Sequence, residues 1–225
     1  IGRLFDTLRV MNQLDNTDIF FIGDNGSTPR TAQTADTTKA KGTVYQYGVN
    51  TPFIFAGPSV VNPNRVSTAL VNTADVFATV LELHGFTTWP SKIATNKPVD
   101  SKSLLPIIKD QGLEVRPWSF CENFKLTPDA NDGKGIRNKS YKLIRFDAGR
   151  QEFYNLSVDP GEAKDLLKGK MTAEDITNYY YLCNEMTTLV GKGNLCLSTV
   201  ATSELNQDDS FVVRPNPFTL HITVL

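Results

Sequence analysis

The sequence is short of cysteine, of an excess of either charge, and of long apolar runs, and each scarcity excludes a class of protein. Three cysteines in 225 residues are too few for a disulfide framework. Cys183 and Cys196 could pair in an oxidising compartment or stay free and buried, and the sequence leaves both readings open. Lys and Arg number 23 against 24 Asp and Glu, a net charge of −1, which gives no electrostatic footprint for nucleic acid or an acidic membrane. No apolar run approaches the ~20 residues that a membrane-spanning helix needs. No signal-peptide pattern, internal repeat or low-complexity tract is visible. What remains is an ordinary globular composition, 40% hydrophobic, with length for one large or two modest domains.

The most informative stretch is Asp24-Asn25-Gly26, at the end of the apolar run Asp18-Ile19-Phe20-Phe21-Ile22-Gly23. Ile1, Leu4, Phe5, Leu8 and Met11 recur at helical spacing before it, so the pattern reads as a helix feeding a buried parallel strand. In open α/β sheets the chemistry gathers outside the carboxyl ends of strands. Asp24 and Asn25 therefore stand where two oxygen ligands could hold a hard divalent cation. Lys41 could return to that place as a compact positive charge for an anionic substrate. Plainer readings compete. Asn-Gly after a strand is by itself a turn signal, the spacing is not that of an EF-hand, and a single lysine is usually solvated.

Punctuation organises the rest. Residues 24–50 have no apolar period and read as a long active-site loop. Pro52 to Ala56 is a second short buried strand closed by Gly57-Pro58. Thr73 to His84 reads as a helix with an apolar face of Val76, Phe77, Val80, Leu81 and His84, stopped by Gly85. Ser103 to Lys109 reads as a shorter helix with Pro106 in its first turn. From about Arg116 the pattern becomes alternating strands (118–124, 135–137, 141–146 and 152–156), a small antiparallel sheet with a covering helix near Ala173 to Val190. The fold class expected is α/β: a partial parallel or mixed sheet flanked by helices, then that antiparallel sheet. His84 suits packing or charge–dipole stabilisation at a helix end, His221 alternates with apolar residues in a strand-like tail and is expected to face solvent, and Tyr179-Tyr180-Tyr181 suits helix packing. For Glu122, Arg137 and Lys142 the default is ordinary cross-strand pairing.

These stretches together resemble the sulfatase family of the alkaline-phosphatase superfamily. The resemblance runs in family order over roughly residues 1–170. It takes in Phe20 to Gly26, Lys41-Gly42-Thr43-Val44-Tyr45, Thr73 to Gly85, Asp100 to Pro106, Tyr141 to Ile144 and Glu152 to Glu162. It implies a metal-dependent sulfuric ester hydrolase in which Asp24 and Asn25 are metal ligands and Lys41 contacts the sulfate. It also implies Ca2+, with Mg2+ as the alternative, a sulfated small molecule or glycan as substrate, and an extracytoplasmic location (periplasmic, cell-surface or secreted). Residues 1–115 then correspond to the carboxyl-terminal part of the catalytic α/β domain and 116–200 to the smaller subdomain.

The chain departs from the family in one decisive respect. The family's nucleophile is a formylglycine formed within Cys/Ser-x-Pro-x-Arg, and none of Cys121, Cys183 or Cys196 lies in that pattern. Nor does the chain hold the family's paired aspartates. Where the family usually shows Glu-Gly, this chain has Gln46-Tyr47. With a helix pattern opening at Ile1 without Met or cap, the expectation is a carboxyl-terminal part, inactive alone, whose formylglycine and amino-terminal partner lie upstream. Two alternatives stand beside it: a phosphodiesterase or phosphonate hydrolase of the same superfamily, and a non-catalytic carbohydrate-binding or interaction module. The tail, residues 201–225, resembles the opening of a bacterial secretion-sorting domain, with a final edge strand as the plainer reading.

Overall fold

The computed structural model describes residues 1–34, 36–94, 96–191, 193–198 and 222–224. In chain order, helix α1 (Gly2–Val10) precedes strand β1 (Ile19–Ile22), followed by the single-turn helix α2 (Gln46–Val49), β2 (Phe53–Ala56) and β3 (Arg65–Ser67). Helices α3 (Asp75–Leu83) and α4 (Leu105–Ile108) come next, then β4 (Ser119–Asn123), β5 (Gly133–Arg137), β6 (Tyr141–Phe146) and β7 (Gln151–Asn155). Helix α5 (Ala173–Val190) and strand β8 (Ile222–Val224) complete the order. These elements fall into two compact units. Residues 1–24 and 51–117 form the first with β8, and residues 25–50 pack with the segment that holds β4 to β7 and α5 in the second.

The first unit is built on a sheet of order β1-β2-β8-β3. β1 and β2 run antiparallel, Ile19 opposite Ala56 and Ile22 opposite Phe53, while β2 and β8 run parallel. The sheet is mixed, and the expectation of a parallel β1 is corrected at this pairing. An apolar run signals a strand and not the direction of its neighbour, and β1 is half-buried at most, with Phe21 exposed, where a buried strand was expected. Phe53 and Phe55 of β2 pack with Ala69, Val71, Leu104, Ile107 and Ile108 into the core.

Helix α3 turns a different face inward from the one its apolar spacing predicts. Asp75, Ala78 and Thr79 are buried, whereas Phe77 keeps 46% and Val80 37% of its surface exposed. The reason is polar satisfaction. Asp75 accepts the Asn72 and Lys102 amides, each at 2.8 Å, and Arg116 Nε at 3.1 Å, while Thr79 Oγ1 accepts the Leu104 amide at 2.9 Å. Buried polar groups are tolerated once bonded. Phe77 instead packs edge-on against Trp89.

The second unit holds the antiparallel sheet β4-β5-β6-β7. Alternation along β6 explains its burial on both faces. Tyr141 and Leu143 join Ile136, Phe153 and the α5 residues Tyr179, Leu182, Cys183 and Met186 on one face. Ile144 and Phe146 pack with Tyr154, Leu156 and the loop residues Val44 and Tyr45 on the other. Gly135 permits this close approach, since a Cβ there would meet Cys121 Sγ at 3.0 Å and the Val44 carbonyl at 3.5 Å. Helix α5 starts at a capping box between Thr172 and Asp175 and ends at Gly191, whose φ is 66°. Cys183 and Cys196 form a disulfide, which decides the alternative the sequence left open. The sorting-domain reading of residues 201–225 and the orientation of His221 lie outside the described residues, 222–224 apart.

Candidate active site

The chain leaves β1 through Gly23, whose amide closes the ladder on the Pro52 carbonyl at 3.0 Å. Asp24 and Asn25 follow directly, both exposed, just past the carboxyl end of β1. Asn25-Gly26 does not turn a tight hairpin, because β1 and its partner β2 are separated by the whole 23–52 connection. Gly26 is required for another reason. Its amide bonds the Gly48 carbonyl at 2.9 Å, and a Cβ at Gly26 would lie 2.0 Å from the Tyr47 carbonyl oxygen.

Lys41 is held in the same stretch. The Ser27 amide bonds the Tyr47 carbonyl at 3.1 Å, and the Lys41 amide bonds the Ser27 carbonyl at 2.8 Å. Asn25 and Lys41 are thus carried by one cross-linked loop within the second unit, and Asp24 is the residue before Asn25. The Lys41 side chain is exposed, whereas Ala40 and Val44 on either side are buried. Packed neighbours therefore fix the backbone while the ammonium stays in solvent.

Beneath that loop lies a buried charged layer that sequence reading missed. Lys142 and Glu162 have side-chain exposures of 1% and 0% and pair at 2.8 Å from Nζ to Oε1. Glu162 Oε2 accepts the Gln46 amide at 2.6 Å, and the Glu162 carbonyl accepts Lys39 Nζ. Lys39 Nζ also sits over the Tyr45 ring, 4.8 Å from its centroid. A second carboxylate, Glu152, accepts the Tyr45 hydroxyl at 2.5 Å and the Tyr154 hydroxyl at 2.6 Å, and pairs with Arg150. Burial pushes the Tyr45 and Tyr154 phenols up, so they remain donors to Glu152. Burial draws Arg137 down to about 10, a shift that the Glu162 carboxylate partly offsets, and it stays a cation at neutral pH.

The cross-strand default therefore fails for Lys142, which serves the loop rather than its strand neighbours. It holds for Glu122, which faces Lys134 across β4 and β5 at 3.6 Å. His84 is exposed at the end of α3 with Nδ1 2.9 Å from the Val80 carbonyl, a helix-end role. Tyr179 is buried against Phe153, as helix packing requires. Among the described residues no group of three or more His, Cys, Asp or Glu is placed to hold a metal ion. Asp24 and Asn25 offer a carboxylate and an amide oxygen, hard donors that fit calcium or magnesium in kind while leaving most of a shell to other ligands.

A mixed α/β unit, an antiparallel sheet under one long helix, and a lysine loop cross-linked to that sheet define the carboxyl-terminal region of a sulfatase. Residues 39–189 match the family N-sulphoglucosamine sulphohydrolase, C-terminal, and the chain belongs to that family. A sulfatase of Formosa agariphila is 28% identical over 191 residues, covering 80% of this chain and 34% of its own length. The N-acetylgalactosamine-6-sulfatase of Homo sapiens is 30% identical over 191 residues, covering 72% of this chain and 36% of its own. The solved structure of a 2-O GAG sulfatase shares the fold at a TM-score of 0.68 and 22% identity, over 90% of this chain and 42% of that one. The chain thus spans about a third of the length of the curated relatives it matches.

Proposed function

We propose that this chain is the carboxyl-terminal part of a metal-dependent sulfatase that hydrolyses sulfate esters. The observation that carries this reading is the family match over residues 39–189, which begins two residues before Lys41 and includes Glu162, the residue bonded to Lys39 and Gln46 on either side of it. In this reading residues 1–115 complete the catalytic α/β domain and 116–200 are the smaller subdomain. Asp24 and Asn25 hold one edge of a divalent cation, calcium by its preference for about six to eight oxygens, with magnesium as the alternative. When bound, that cation supplies positive charge that polarises the ester oxygens. Lys41 binds the sulfate and neutralises charge developing on it or on the bridging oxygen. The formylglycine nucleophile lies upstream.

The substrate class is a sulfated small molecule or glycan, in keeping with the names of the human relative and the 2-O GAG sulfatase. The Cys183–Cys196 disulfide supports an extracytoplasmic location, where such bonds persist. Exposed apolar side chains in the first unit, Leu4 and Met11 around α1 and Phe21 on β1, suit a covering by an amino-terminal part of the same protein. The test compares the complete protein with residues 1–225 alone on an aryl sulfate and on an aryl phosphodiester. The complete protein is expected to cleave the sulfate in preference, and the 225-residue chain neither. Cleavage of the phosphodiester alone would move the protein to the phosphohydrolase branch, and sulfatase activity of the isolated chain would refute an upstream nucleophile.

A further inference from the structure

The geometry points to Glu162 as a positioning residue that fixes the segment presenting Lys41, with Lys142 as its buried counter-charge. This rests on the reading of Lys41 as the sulfate contact. Glu162 meets that segment on both sides. Its carbonyl takes the Lys39 ammonium two residues before Lys41, and its carboxylate takes the Gln46 main-chain amide five residues after it. Glu152, the other carboxylate of this layer, meets the loop through the Tyr45 hydroxyl, and among the described residues it holds no main-chain group of the loop.

Several features set Glu162 apart from an ordinary surface glutamate in a turn. It is fully buried, and its negative charge is matched by Lys142, itself buried on the loop-facing side of β6. Lys142 Nζ also lies 3.4 Å from the Gln46 side-chain oxygen, so the pair and the loop form one polar network. Glu162 has a φ of 55°, a left-handed backbone that few non-glycine residues adopt. Its amide closes the preceding turn on the Asp159 carbonyl at 3.1 Å. The chain reversal through Asp159-Pro160-Gly161 ends with both the carbonyl and the carboxylate of Glu162 bonded to the Lys41 segment. Among the described residues no side-chain bond anchors exposed Lys41, so its placement rests on its own amide bond to Ser27 and on these flanking bonds.

Two double variants of the complete protein separate positioning from charge burial. E162A/K142M and E162Q/K142M both remove the ion pair, so neither leaves an orphan charge, and they differ in whether residue 162 can accept the Gln46 amide. Amide hydrogen exchange at residues 45–49 is expected to accelerate in E162A/K142M and to stay near wild type in E162Q/K142M. On an aryl sulfate, kcat is expected to fall by about 10²-fold in the first, a loss typical of a displaced catalytic group, and to be largely retained in the second. Equal exchange at residues 45–49 in the two variants would overturn the proposal. An exchange difference with no kcat difference, together with full activity of K41A, would instead refute the role of Lys41 and leave Glu162 as the anchor of the loop.

Discussion

At the scale of single residues, Lys41 combines an exposed side chain with a constrained backbone. Ala40 and Val44 are buried on either side, and the Lys41 amide is bonded to Ser27. Lys41→Ala should therefore leave the thermal midpoint of the complete protein unchanged while lowering kcat/KM toward an aryl sulfate by roughly 10²–10³, as for a lost contact to developing charge. Unchanged kinetics would return Lys41 to the solvated surface. Asp24, Asn25 and Lys41 could be nominated from sequence because they stand in recognisable local strings. Lys142 and Glu162 were not, because a charged residue is almost never fully buried unless paired, and no local string reveals a partner 20 positions away in sequence. The phenols of Tyr45, Tyr141, Tyr154 and Tyr179 are all pushed above their ordinary value by burial. The folded state holds these protons more tightly than the unfolded chain, so the resulting stability is complete below about pH 10 and is lost as pH rises beyond it. In an alkaline titration, phenolate absorbance from these four should emerge with unfolding. Full ionisation of all seven tyrosines near pH 10 with the fold intact would contradict that burial.

At the scale of elements, strong local signals and tertiary pairing part company. Helix α5 was readable at both ends, since Thr172 and Asp175 form a capping box and Gly191 supplies the left-handed stop. The four strands of the antiparallel sheet followed from alternation and turn residues. The direction of β1 against β2 did not, because both are short apolar runs whose pairing is set by the long connection between them. Helix α3 is the clearer case. Its apolar spacing pointed Phe77 and Val80 inward, yet Asp75 and Thr79 take that side because loop amides and Arg116 wait for them there. Asp75→Ala would leave Arg116 buried with no counter-charge, and breaking such a pair costs about 3–5 kcal/mol. Denaturant unfolding should show a loss of that size. A change below about 1 kcal/mol, the value of an exposed pair, would mean the contact is not buried in solution.

At the scale of the whole molecule, the chain carries a sulfatase carboxyl-terminal region and about a third of the length of its curated relatives. The sequence announced the family through motifs in family order. What it could not announce was that residues 25–50 pack with the antiparallel sheet rather than with the strands on either side of them in the chain. Val44 and Tyr45 explain that placement, since their partners Ile144, Phe146, Tyr154 and Leu156 lie 100 or so positions later. The loop that carries Lys41 therefore depends on the antiparallel sheet for its shape. The central claim is that this chain supplies a metal edge and an anion contact to a sulfate ester hydrolase. Its most direct test is calcium-dependent sulfate release from an aryl sulfate by the complete protein and by its Asp24→Ala variant. The account predicts hydrolysis by the first and loss of both hydrolysis and calcium affinity in the second, with the fold retained. Hydrolysis by Asp24→Ala within a few-fold of the unaltered protein would contradict it.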